Sequence, residues 1–338
     1  MIGYYVHHHG SGHLHRMRSI ARHLRTGLTV LSTLPEPANC PCPWVRLPSD
    51  VDDGQVPAHG DVTAHGTLHW APIGHDGLRA RMAAVAAWVA TARPSLMVVD
   101  VSVEIATFAR AMGIPVVVVA MPGDRTDRAH RLAYDLATAL IAAWPESARD
   151  ISWPHTWHRK TLYTGGFSRY DDRPRLPVVS PSARRRVAFL GGCGGVDISR
   201  QQIKEAVSAT PDWEWDLIGV PGGQWVDDPW PRLRQADVIV THAGQNTVAE
   251  TAAARRPAIV IPQTRPHHEQ RATAQQLRLG GYATVLDTWL DAERWRLLVD
   301  DASTRPDRWR EWAPGDGATR AAHRIDELAS GCGAVAWT

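Results

Sequence analysis

The sequence predicts an α/β protein of two Rossmann-like domains whose parallel sheets face a shared cleft. Three observations carry this. Short apolar runs of strand length alternate with segments of helical period in both halves of the chain. Polar, glycine-bearing clusters follow the runs at their carboxyl ends, where open α/β sheets bind ligands. A stretch rich in Gly, Pro, Arg and Asp around residues 165–181 divides the halves. A length of 338 residues suits two ordinary cores, and 44% apolar with 21% charged residues reads as globular. The expected division is a first domain over 1–165, a linker over 166–185, a second domain over 186–314, and a helix and tail over 315–338 able to pack back on the first domain.

In the first half, Ile2–Val6 reads as a strand and His7–Gly12 as a turn. Leu14, Met17, Ala21 and Leu24 then recur at helical spacing, and Thr29–Ser32 is the next strand, completing a βαβ unit. Pro35–Asp76, rich in Pro, His, Gly and Asp, reads as loops with one or two short strands. A helix is expected over Gly77–Ala92, a strand over Leu96–Asp100, a helix over Val103–Met112 and a strand over Pro115–Ala120. The four consecutive valines Val116–Val119 suit a strand covered on both faces. Arg128–Ala142 is expected to be helical.

The second half repeats the alternation. Arg186–Leu190, Glu214–Gly219, Val238–Thr241 and Ala258–Pro262 read as strands. Helices are expected from a cap at Asp197 or Ser199 to Ala209, and over Gly244–Ala254, Glu269–Leu279, Asp291–Asp300 and Gly317–Leu328.

Two clusters in that half can meet an anion. Gly191, Gly192, Gly194 and Gly195 lie between a strand and a helix, where backbone N–H groups approach a phosphate closely. They form neither a dinucleotide fingerprint nor a P-loop, and a structural turn explains them equally well. The run His242-Ala243-Gly244-Gln245-Asn246-Thr247-Val248-Ala249-Glu250 says more. It joins a buried strand to a helix, so His242, the Gly244 backbone, Asn246 and Thr247 can donate to a diphosphate, and Glu250 can accept from vicinal ribose hydroxyls. The next strand leads through Gln263 to Glu269 and Gln270, which can bond sugar hydroxyls. Helix capping accounts for one or two such polar residues, but not for clusters on two successive strand ends beside a glycine loop.

At these residues the sequence resembles the nucleotide-sugar-dependent glycosyltransferases of the two-Rossmann-domain GT-B type. His-x-Gly-x-Asn-Thr-x-x-Glu, from His242 to Glu250, is similar to the donor signature of the UDP-sugar enzymes and to the N-acetylglucosaminyltransferase of peptidoglycan synthesis. The close match spans about 186–276, and a looser one spans the chain. The resemblance implies that His242, Asn246 and Thr247 touch the diphosphate, Glu250 the ribose, and Glu269 with Gln270 the sugar. Gln245 stands where the family signature has tryptophan, and Trp225 or Val226 is the candidate for the base-stacking position. These departures leave uracil, thymine and guanine open, with UDP- or dTDP-sugars favoured.

His13 begins the first helix, just after Ser11 and Gly12, which are expected to face the acceptor. A helix N-terminus disfavours imidazolium, which suits a general base. The resembled family has a base at this place, with an Asp orienting it; Asp100, at the end of Leu96–Asp100, is the candidate here, although capping the next helix is its other reading. Adjacent His7, His8 and His9 point apart and do not converge on one ion, so no metal ligand is assigned. No cofactor is implied, because a nucleotide sugar is a substrate.

Composition excludes several classes. A net charge of +2, with Arg interspersed among Asp and Glu, does not describe a nucleic-acid binder. Cys40 and Cys42 are too close for an ordinary disulfide, and with Cys193 and Cys332 they lack paired zinc spacing, which suits free thiols in a reducing cytosol. Met1–Val6 runs straight into histidines, without a leader pattern, and no apolar run reaches membrane-spanning length. The expectation is a cytoplasmic bacterial glycosyltransferase of natural-product or cell-envelope chemistry, compatible with peripheral membrane contact. It would take a nucleotide-sugar donor and a small-molecule or lipid-linked acceptor. The rivals are a nucleotide-sugar 2-epimerase of the same fold and a non-catalytic nucleotide-sugar-binding subunit.

Overall fold

A computed structural model describes residues 1–8, 10–38, 40–51, 60–174, 184–192 and 194–331. His9, Cys193, Cys332, residues 175–183 of the expected linker and the 332–338 tail lie outside the described residues. Among the described residues, Cys40 and Cys42 are unpaired. No described helix is long and apolar enough to cross a membrane.

The first sheet contains β1 (Ile2–Val6), β2 (Leu28–Ser32), β3 (Trp44–Arg46), β4 (Leu96–Asp100), β5 (Val116–Ala120), β6 (Ala139–Ala142) and β7 (Thr161–Tyr163). All pairings are parallel, in the order β3-β2-β1-β4-β5-β6-β7. Helices α1 (Gly12–Ala21), α2 (Asp76–Ala92), α3 (Val103–Ala111), α4 (Arg128–Leu136) and α5 (His155–Arg159) connect them. Every residue of β1, β2, β4, β5 and β6 is buried, as expected for parallel strands sandwiched between helices.

One expected helix is corrected. The run Arg128–Ala142 is helical only to Leu136, and its alanine-rich end becomes β6. Alanine favours helix locally, but pairing of Val117–Ala120 with Ala139–Ala142 and burial on both faces override that preference.

The second sheet has the order β12-β11-β10-β8-β9, built from β8 (Arg185–Leu190), β9 (Trp213–Ile218), β10 (Val238–Thr241), β11 (Ala258–Val260) and β12 (Thr284–Val285). Its helices are α6 (Arg200–Ala209), α7 (Trp230–Gln235), α8 (Gln245–Ala254), α9 (Glu269–Leu279), α10 (Ala292–Ser303) and α11 (Trp309–Trp312). Ser199 caps α6 through a reciprocal capping box with Gln202. The short α7, α11 and β12 carry little periodicity of their own and were not expected.

The last helix, α12 (Gly317–Ala329), lies on the first domain. Its Ala318, Ala321, Ala322, Ile325 and Leu328 recur at helical spacing and join the core formed by Ile2, Tyr4, Met17 and Ile20. The Asp326 carboxylate accepts from the backbone N–H groups of Arg25 and Thr26 at 2.9 and 3.0 Å.

Each sheet reverses strand order beside its first strand: at β1/β4 in one domain and at β8/β10 in the other. Such topological switch points open a crevice at the strands' carboxyl ends. Val6 lies beside Asp100 at one crevice and Leu190 beside Thr241 at the other, and the two crevices share one cleft.

Candidate active site

The cleft has a volume of about 490 Å³. Ser11, Gly12 and His13 line it from the first domain. From the second come Gly191, Gly192, Gly194, Gly195, Trp225, Val226, His242, Gly244, Gln245, Asn246, Thr247, Glu250, Glu269 and Gln270. Asp100 lies fully buried behind His13, and Ala243 is buried in the core rather than at the surface of the cleft.

The first-domain wall is a hydrogen-bonded triad. His13 Nδ1 lies 2.9 Å from Asp100 Oδ1, and the same oxygen accepts from Arg16 Nη1 at 2.8 Å. With Nδ1 donating to Asp100, the His13 Nε2 lone pair is left able to accept a proton. Burial, the largest single influence, pushes the Asp100 carboxyl up, but Arg16 and His13 together outweigh it and hold it below its ordinary range. Asp100 does not cap α3; Ser102 does, accepting from the Ile105 N–H. The chain leaves Asp100 through Val101 at φ 63°, a left-handed conformation rare for a β-branched residue. Such strain costs about 1–3 kcal/mol and concentrates at functional sites.

The second-domain wall is the start of α8. Its N-cap is Gly244, which has no side chain to satisfy the first-turn amides. These uncapped donors and the positive end of the helix face the cleft and suit a diphosphate. The side chains around them are more committed than the sequence suggests. The Thr247 hydroxyl donates to the carbonyls of His242 and Gly244, both at 3.0 Å, so its proton is not free for a phosphate. His242 is 3% exposed, with Nδ1 2.8 Å from the Ile261 carbonyl, and its Nε2 is buried without a hydrogen-bond partner. Burial holds its pKa below the ordinary value, so in the neutral form Nε2 accepts rather than donates.

Within the glycine loop, the Gly191 N–H bonds the Ile218 carbonyl at 2.8 Å and the Gly195 N–H bonds Gly192 at 3.2 Å. Those two amides serve the turn. Trp225 is 59% exposed beside the turn at Gly219 and lines the cleft, and its Nε1 donates to Asp227 at 2.9 Å.

The carboxylates of the second-domain wall carry arginine partners. Glu250 Oε1 accepts from Arg169 Nε at 2.8 Å, while burial pushes its carboxyl up despite that partner. Glu269 Oε2 accepts from Arg125 Nη2 of the first domain at 3.3 Å. The Gln270 side-chain Oε1 accepts from the Gln263 N–H at 2.9 Å, which leaves its amide N–H groups available to a sugar. Gln245 Oε1 accepts from Arg16 Nη2 at 2.6 Å, linking the triad to α8. A Cβ at Gly12 would meet the Asn246 carboxamide, so the backbone of α1 approaches α8 closely here and a larger residue would push that side chain aside.

Sequence reasoning missed four arginines: Arg16, Arg125, Arg169 and Arg265. Arg265 lies over the glycine loop, donating to the Gly194 and Gly195 carbonyls at 2.8 and 3.2 Å. Arg16 had a signal, because it follows His13 by one helical turn on the same face of α1.

Comparison with known proteins agrees with this architecture. Residues 224–292 match the glycosyltransferase family 28 C-terminal domain. One curated relative is the UDP-N-acetylglucosamine--N-acetylmuramyl-(pentapeptide) pyrophosphoryl-undecaprenol N-acetylglucosamine transferase of Sinorhizobium fredii. It is 29% identical over 209 residues, covering 51% of this chain and 56% of the relative. The Agrobacterium fabrum enzyme of the same name is 33% identical over 144 residues, covering 41% and 36%. The chain thus spans about half the length of the curated relatives it matches, or less.

Whole-chain similarity comes from solved structures. The kitacinnamycin glycotransferase aligns with a TM-score of 0.67 at 17% identity, covering 98% of this chain and 97% of its own. The calicheamicin glycosyltransferase CalG4 gives 0.66 at 16%, covering 99% of both chains. MurG of Acinetobacter baumannii gives 0.62 at 13%, covering 96% and 99%. The GT-B fold expected from the sequence is borne out, and so is the resemblance read at His242–Glu250.

Proposed function

We propose that this chain, a GT-B-fold protein carrying a glycosyltransferase family 28 C-terminal domain, transfers a sugar from a nucleoside-diphosphate sugar to an acceptor hydroxyl. One observation carries the reading. The His13–Asp100 pair and the uncapped start of α8 stand on opposite walls of one cleft, each at its own sheet's switch point.

The diphosphate is held by the first-turn amides of α8, with Arg265 beside it. One ribose hydroxyl donates to Glu250, and Trp225 stacks on the base. Glu269 accepts from the sugar hydroxyls, and the Gln270 amide donates to them. His13 Nε2 takes the acceptor proton as the acceptor oxygen attacks the anomeric carbon. The bond to the diphosphate oxygen breaks, and the leaving group departs with that electron pair. Attack opposite the leaving group inverts the anomeric carbon. The helix dipole and Arg265 neutralise the developing charge, so the transfer step needs no ion in the cleft.

UDP- and dTDP-sugars are the favoured donors, and a small-molecule, lipid-linked or cell-envelope hydroxyl is the acceptor class. The names of the relatives support both: undecaprenol-linked transfer for the curated proteins and antibiotic glycosylation for the structural neighbours. The proposed location is the cytoplasm, with peripheral access to a membrane for a lipid-linked acceptor.

A panel of UDP-, dTDP-, GDP- and ADP-sugars, measured by thermal unfolding, tests the donor class. At 100 times its dissociation constant, the true donor stabilises the fold by about 2.7 kcal/mol. A uracil or thymine nucleotide sugar is expected to raise the melting temperature by several degrees. If none of the panel raises it, the reading is wrong.

A further inference from the structure

A second cluster lies outside the donor cleft. His69 from the loop before α2, His130 on α4, and His267 from the loop before α9 bring one ring nitrogen each to within 4.8 Å of one another. Two of these imidazoles belong to the first domain and one to the second, and none lines the donor cleft. Asp127 faces all three: its carboxylate oxygens lie 2.5 Å from His130 Nδ1, 3.7 Å from His69 Nε2 and 3.9 Å from His267 Nδ1. From these contacts we propose that His69, His130, His267 and Asp127 form a structural site for a divalent transition metal of the zinc class, which ties the two domains together.

The donor set is three imidazole nitrogens and one carboxylate oxygen, a tetrahedral complement for zinc. With Zn–N distances of about 2.0–2.1 Å, a tetrahedral ion places its imidazole rings about 5 Å apart, centre to centre. The observed separations are 4.4 Å for His69–His130, 4.7 Å for His130–His267 and 5.8 Å for His69–His267. The same geometry requires ligand atoms about 3.3 Å apart. Closing from 4.8 Å is a movement within the reach of side-chain torsions.

One further observation points to a ligand, and the backbone that carries His267 is held firmly in place. His69 Nε2 is buried and makes no hydrogen bond among the described residues. His267 and His268 are consecutive non-glycine residues in the left-handed region, at φ 55° and 54°. That backbone is held against the first domain, because the His267 carbonyl accepts from the Asp124 N–H at 2.7 Å. Gly123 is left-handed at φ 95°, and a Cβ there would strike that same carbonyl.

Arg125 Nη1 lies 3.1 Å from His130 Nε2, so the imidazole proton sits on Nδ1, toward Asp127. Uptake of an ion at Nδ1 moves that proton to Nε2. Arg125 then turns off His130 and keeps its bonds to Glu269 and the Pro122 carbonyl. The ion is not a party to sugar transfer, so its test does not depend on the transfer reading.

The full chain, stripped with chelator, is dialysed against zinc and desalted, and its metal content is measured. Cobalt(II) binding is followed in parallel by the visible absorption of tetrahedral cobalt. The expected result is about one zinc per chain, as a folded four-ligand site requires, with a tetrahedral cobalt spectrum. His69→Ala and His267→Ala should each weaken binding by more than about tenfold. The neighbouring His268→Ala should bind as the unmutated protein does. His267 lies in a loop, so its variant is expected to fold, and its circular dichroism checks this. If the unmutated protein holds no more zinc than His267→Ala, the cluster is a hydrogen-bonded contact between domains and the proposal falls. The same follows if all three variants hold the ion equally.

Discussion

His13→Ala is expected to lower kcat by about 10²- to 10⁴-fold and to leave donor binding unchanged. The size is that of a positioned general base, equivalent to about 3–5.5 kcal/mol of barrier. The selectivity follows from the geometry. His13 meets the cleft from the first domain, whereas the residues proposed to hold diphosphate, ribose and sugar line it from the second. Loss of the imidazole leaves Asp100 with its Arg16 bond at 2.8 Å, so the fold survives the change. Turnover and donor binding measured on the same preparation separate the readings. A variant that transfers sugar at the unmutated rate would remove His13 from the chemistry. It would then favour a nucleotide-sugar-binding protein whose first domain has another task.

The second large effect is on stability. Arg16→Met is expected to destabilise the chain by about 3–5 kcal/mol, the usual consequence of removing one partner of a buried ion pair. Arg16 is 5% exposed and Asp100 fully buried, so water cannot replace the guanidinium. Asp100 Oδ2 already lacks a partner, which makes the carboxylate dependent on Arg16 and His13 at Oδ1. The sign with pH follows from the lowered Asp100 pKa. Stability due to this group is fully present above the unfolded carboxylate value of about 3.9 and is lost as pH falls through the lower folded value. In Arg16→Met that lowering is diminished, so less of the stability is lost on acidification. Urea unfolding at pH 7 and at about pH 3 measures both effects. A change below about 1 kcal/mol at pH 7 would mean that Asp100 does not depend on the pair.

Much of the second-domain wall was legible because its residues are contiguous. A buried strand, a glycine and a polar helix start follow one another from Val238 to Glu250, and a local pattern of that kind survives folding intact. His13 and Asp100 were legible as strand-end residues, but their meeting depends on β1 and β4 being neighbours. The arginines were not legible. Arg is common along this chain, and Arg16 finds Gln245 across 229 residues, a contact no local spacing encodes. The same limit hid the grouping of His69, His130 and His267, which lie in three separate segments. The side-chain commitments of Thr247, His242 and Gln270 to backbone groups were also invisible, because they depend on how each turn closes. β6 was misread for a different reason: alanine's local helix preference conceals a strand that only its neighbours justify.

The most direct test of the cleft's assignment is calorimetric titration of UDP and dTDP into the unmutated chain and into Glu250→Gln. Glu250 is buried, lies on α8 beside the proposed diphosphate site, and gives Arg169 one of its two oxygens. A charged hydrogen bond to a ribose hydroxyl contributes about 1.5–3 kcal/mol. The account therefore predicts that the unmutated chain binds at least one of the two nucleotides and that Glu250→Gln binds it about ten- to a hundredfold more weakly. Equal affinity in the two proteins, or no binding to either nucleotide, would contradict a nucleotide site at the head of α8.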